Sequence, residues 1–76
     1  MKLLLVTWRD VVSKHLGWGV LDEMKKERAP HCQTIGWEVQ REYGELMLVS
    51  TICDDEASLL TIIPEGMILS EKELSP

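Results

Sequence analysis

The residues with the most chemistry to offer are His15, His31, Cys32 and Cys53, and their spacing limits what they can do. A thiol nucleophile needs a base within hydrogen-bond reach. His31 and Cys32 are neighbours in a segment that alternates like a strand, so their side chains point to opposite faces, and His15 sits in an aperiodic stretch. Zinc would have to draw His31, Cys32, Cys53 and Asp54 together across a hairpin, without any CxxC, HxxxH or HExxH spacing to support it. Gly17 and Gly19 lack the Gly-Lys-Ser/Thr continuation of a phosphate loop. Asp54-Asp55-Glu56 lacks the spacing of a calcium loop and reads as a solvated acidic turn. The expectation is a non-enzymatic protein with no catalytic residue, no metal and no cofactor, whose two cysteines are small buried hydrophobes.

The aromatic residues are more informative. The chain has Trp8, Trp18, Trp37 and Tyr43 but no phenylalanine. Trp37 alternates with Ile35 and Val39 and belongs to a core. Trp8 stands beside Arg9-Asp10, and Trp18 is flanked by glycines. Indoles near an arginine make a stacking platform for a flat ligand, a base or a peptide aromatic, which makes Trp8, Arg9, Asp10, Trp18 and Arg41 the candidate ligand or partner site. The competing reading has Trp18 plugging one end of the domain and Trp8 packing beneath the loop.

Such residues need elements to hold them. Lys2 to Trp8 (KLLLVTW) is short and apolar and predicts a buried first strand. Val11 to Gly19 has no period and predicts a loop. Leu21 and Met24, spaced i,i+3 among charges, predict about two helical turns over Leu21 to Glu27, ending before Pro30. From His31 the pattern alternates, with Ile35, Trp37 and Val39 opposite Thr34, Gly36, Glu38 and Gln40, and predicts a strand. "REYGE" turns the chain, Leu46 to Cys53 returns as its partner, and Ser58 to Ile63 and Met67 to Leu74 predict two more strands redirected by Pro64-Glu65-Gly66. That break resembles the short helical turn joining the last two strands of SH3-like barrels. The fold expected over residues 1–76 is mostly β: one small five-stranded SH3-like or Sm-like barrel, whose closure hides its edges, with one short helix in the long first connection.

Seventy-six residues support only a marginal core, yet 45% of them are apolar. Several strands are apolar on both faces, as strands covered on both sides are. The hairpin register decides which face turns inward. A three-residue loop at Glu42-Tyr43-Gly44 sets Trp37 against Val49 and Val39 against Met47; a two-residue turn at Tyr43-Gly44 sets Val39 against Leu48 and Ile35 against Ile52. The first is favoured because the second demands positive φ at Tyr43. Either register leaves a second apolar row, which predicts a homo-oligomer with Leu46, Leu48, Ile52, Leu60 and Ile62 as candidate interface residues; the alternative is a monomer whose outer row lies under the long Val11 to Ala29 connection. In "LLTIIPEGMIL" one of two rows, Leu59/Ile63 or Leu60/Ile62, is expected to lie against another chain. Covering ~400 Å² of apolar area per chain is worth roughly 10 kcal/mol before the costs of association.

Net charge is −5, with thirteen acidic residues against eight basic. Nucleic-acid binding draws on clustered Lys and Arg, whereas here Lys25, Lys26 and Arg28 are interleaved with Glu23 and Glu27. This argues against a nucleic-acid partner. No apolar stretch reaches the ~18 residues of a membrane span, and Met1-Lys2 leads into a short apolar run without a signal cleavage pattern, so a cytoplasmic location is expected.

The segments "VTWRD", "GW" with "LDEM", "TIGWEV" and "TIIPEGMI", spread over most of the chain, resemble a group of small phage and prophage proteins. The resemblance implies a phage-encoded cytosolic protein with a compact β fold and carries over no catalytic residue. The function expected is that of a homo-oligomeric phage accessory protein binding a host or phage protein, such as an anti-defence factor. The alternatives are a protein sequestering a nucleotide or other small molecule between subunits, and an Sm-like RNA-binding ring.

Overall fold

The computed structural model describes the chain except residues 12, 14–16 and 76; His15 and part of the expected 11–19 loop lie outside the described residues. The order of elements is β1 (Leu3–Arg9), α1 (Leu21–Met24), β2 (His31–Glu42), β3 (Glu45–Cys53), β4 (Glu56–Pro64), a 3₁₀ turn (Glu65–Met67) and β5 (Ile68–Glu73). The five strands form one open antiparallel sheet in the order β4-β3-β2-β1-β5. No described helix is long and apolar enough to cross a membrane.

The helix is a single turn, shorter than its charge pattern predicts. It buries no residue, and its pairs Lys25–Asp22 and Lys26–Glu23 are exposed, so nothing offsets the cost of nucleating further turns. The last two strands part as expected. Pro64 ends β4 because it has no N–H to donate, and the Glu65 N–H donates instead to the Gly44 carbonyl at 2.8 Å.

The β2–β3 hairpin combines the two expected registers. Glu42 pairs with Glu45, and Tyr43 and Gly44 both adopt positive φ, 56° and 69°, so the turn has two residues and Tyr43 accepts the left-handed conformation that argued against it. A bulge between Glu38 and Gln40 then absorbs one residue at Val39, and Trp37 meets Val49 as the other register requires. Val39 consequently does not oppose Met47; Gln40 does.

Registers assign the faces. Leu4, Val6, Leu46, Leu48 and Ile63 form the core on the inner face, with Trp8 and Ile68 packed against it. Gly36 lies on that face opposite Leu4. A Cβ there would stand 3.0 Å from both the Leu48 Cβ and the Val49 carbonyl oxygen, so the close crossing of β2 over β3 requires glycine. The β2–β3 ladder extends to Val49 and Trp37. Beyond it, residues 50–60 of the β3–β4 hairpin are exposed throughout and project as an arm from a molecule measuring 52 × 22 × 21 Å.

Two substitutions check these local assignments through urea-unfolding midpoints. Gly36→Val is expected to lose about 1–3 kcal/mol by overpacking. Tyr43→Asn is expected to gain about 1 kcal/mol by relieving the left-handed backbone, and an unchanged midpoint would mean that the turn stores no strain.

Candidate functional site

Arg41 sits at the centre of the strongest electrostatic feature. Its guanidinium forks onto Glu71, with Nη1 donating to Oε2 at 3.0 Å and Nη2 to Oε1. Nη1 also donates to Glu65 Oε1 at 3.1 Å, and Nη2 to Glu38 Oε1 at 3.0 Å. The partners come from β2, the 3₁₀ turn and β5, so one side chain ties the middle of the sheet to the segment following one edge strand and to the other edge strand. In a regular strand residues three apart face opposite ways. The bulge at Val39 reverses that parity, setting Glu38 opposite Leu48 and Arg41 opposite Leu46, both on the inner face.

The hydrogen bonds from Arg41 hold the Glu71 carboxyl below its ordinary range, helped by the charges of Arg41 and Lys2 and opposed by partial burial. Glu71 and Glu38 in turn push the Arg41 guanidinium up. Arg41 therefore commits its donors to three carboxylates from three elements. Only Glu38 lies near Arg41 in sequence, and strand parity conceals even that pair; Glu65 and Glu71 are 24 and 30 residues away.

The other candidate ligand residues do not gather around Arg41. Trp8 is half-buried against the core, and its Nε1–H donates to Thr34 Oγ1 at 3.0 Å. Arg9 and Asp10 are exposed, with the Asp10 N–H on the Pro30 carbonyl at 3.1 Å. Trp8 opposes Cys32, nine positions along β2 from Arg41, a separation of about 30 Å at strand rise. Within one chain these groups cannot hold one small ligand. Trp18 is fully exposed at 105%, so it plugs nothing. Cys53 is exposed and Cys32 half-buried, both free; the burial expected for Cys53 fails because it stands on the arm, past the end of the β2–β3 ladder. Among the described residues no three His, Cys, Asp or Glu side chains gather as a metal group.

The second feature is apolar. On the outer face Leu3, Trp37, Val49 and Leu60 form a row across four strands, flanked by the pairs Leu5–Ile35 and Met47–Ile62; Val49 is itself buried and Leu3, Leu5, Trp37 and Met47 are half-buried. Ile35 is 55%, Val39 50%, Leu60 58% and Ile62 44% exposed. Of the candidate interface residues, Leu46 and Leu48 are buried in the chain's own core and offer no surface, because the inner face is the one they occupy. Ile52, Leu60 and Ile62 are exposed. Of the two rows in β4, Leu60/Ile62 is exposed, while Leu59/Ile63 is split, with Ile63 in the core and Leu59 exposed.

Comparison with known proteins matched no protein-family model, no curated protein and no solved structure.

The Arg41 cluster has a defined pH signature. Because the folded state lowers the Glu71 pKa, its contribution to stability is complete above the unfolded carboxyl value of about 4.3 and is lost as pH falls through the lower folded value. Arg41→Met is expected to cost about 1–2 kcal/mol at pH 7, with the partial exposure of the pairs keeping the figure modest. The deficit should shrink below about pH 4; a deficit independent of pH in urea titrations would assign the loss to packing alone.

Proposed function

We propose that this chain is a non-enzymatic, homo-oligomeric accessory protein of SH3-like or Sm-like barrel type, encoded by a phage and acting in the cytoplasm of its bacterial host by binding a host or phage protein. The observation that carries this reading is the exposure of Ile35, Val39, Leu60 and Ile62 on the outer face, on a chain in which six apolar side chains are buried among the described residues. Contiguous exposed apolar surface is characteristic of contact sites. The barrel type is supported by the strand order, which puts β4 and β5 at the two edges of the sheet with the 3₁₀ turn connecting them. The net charge of −5 favours a protein over a nucleic acid as the partner. By analogy of size and origin with small phage proteins that block host defence, the partner is a component of that defence.

A second reading, binding of a nucleotide between subunits, draws on Trp18. Its indole stands free in solvent, available to stack on a base.

Light scattering of the full chain at micromolar concentration is expected to give a multiple of 8.7 kDa, and a monodisperse monomer would overturn the oligomeric reading. Titration with mono- and cyclic nucleotides is expected to leave the tryptophan emission and the melting temperature unchanged. Saturable quenching by any of them would move the function to the second reading.

A further inference from the structure

We infer that two copies of this chain pack outer face against outer face, burying Ile35, Trp37, Val39, Leu60 and Ile62 between two sheets. This inference rests on the homo-oligomeric reading above and names its surface.

The size of the surface points to a partner. The chain exposes 5936 Å², whereas a folded monomer of its mass exposes about 4,700 Å². Its radius of gyration is 16.0 Å against about 11 Å for a compact domain of this length. The projecting arm and the exposed described residues of the β1–β2 connection account for part of the excess of about 1,200 Å², which compares with the roughly 800 Å² that each partner gives to a standard interface.

Charge selects the partner. A chain of net charge −5 repels its own copies wherever acids meet. On this face the acids stand at its ends, Glu42 and Glu45 at the β2–β3 turn and Asp54, Asp55 and Glu56 at the arm tip, where the last three line one concavity with Val39 and Val49. Glu38 and Glu71 pair with the core residues Leu48 and Val6 and so belong to the inner face. The face is bounded by Thr7, Gln33, Ser70 and Lys72 on one side and by Thr51 and Ser58 on the other, giving an apolar centre with a polar rim. A partner that completes a marginal core must be present whenever the chain folds, and another copy always is. A two-fold axis through such a face lets each row meet its own equivalent, and facing sheets about 10 Å apart interdigitate such side chains.

Covalent footprinting of the wild-type chain, read by mass spectrometry beside native mass measurement, tests this. Expected are a dimer or higher even-numbered assembly, protection of Ile35, Val39, Leu60 and Ile62 at least fivefold relative to their labelling in the chain diluted to monomer, and strong labelling of Leu69, which is equally exposed but lies on β5 outside the face. Leu60→Glu and Ile62→Glu should each yield monomer, or chain that melts at lower temperature with no dependence on concentration, while Leu69→Glu leaves the assembly intact. An assembly with these four residues fully labelled would overturn the inference and leave the oligomeric reading standing. A wild-type monomer at micromolar concentration would overturn both.

Discussion

A β-strand shows alternate residues to alternate faces, and in β2 that rule must be broken once for the fold to exist. Upstream of Val39 the strand sends Gly36 and Glu38 inward and Trp37 outward; downstream it must send Arg41 inward, where Glu65 and Glu71 are. Unbroken alternation would carry Arg41 to the outer face and strand three carboxylates without their cation. The extra residue at Val39 changes the parity, so a local irregularity couples the hairpin to both ends of the sheet. It also lets a tight two-residue turn coexist with the pairing of Trp37 and Val49.

The same irregularity shapes the surface. With the acids Glu38 and Glu71 held inward around Arg41, and Val39 and Gln40 both turned outward at the bulge, the middle of the outer face keeps its apolar side chains and its acids stand at the two ends. The inner face meanwhile has little to bury, since its core is five aliphatic side chains with Trp8 and Ile68 at the margin. A small core on one face leaves exposed apolar side chains, Ile35, Val39, Leu60 and Ile62, on the other. The function proposed here, contact with other protein chains, follows from that asymmetry more directly than from any titratable or nucleophilic group.

Legibility in the sequence followed the range of the forces involved. The strand break at Pro64 follows from its missing N–H, which depends on neighbours in sequence. Trp37, which alternation assigns to the core, instead stands on the outer face opposite Leu3 and Val49, because the face that turns inward is set by the register. The double apolarity of "LLTIIPEGMIL" was equally visible, but its resolution into core Ile63 and uncovered Leu60 and Ile62 was not. Tyr43 misled for a physical reason: the cost of its left-handed backbone is about 1–2 kcal/mol, small enough for the ladder on either side to overrule. The carboxylates around Arg41 were not legible, because they lie mostly more than twenty positions away.

By itself the sequence determined a mostly β chain of five strands with one short helix, a net charge of −5, and more apolar strand surface than one face can bury. Those properties come from periodicity, backbone chemistry and composition, which are local or additive. Only the tertiary structure decided the hairpin register, the inward turn of Arg41, the burial of Leu46 and Leu48 and the exposure of Leu60 and Ile62. Each depends on strand parity, and one inserted residue, at Val39, sets that parity for everything beyond it.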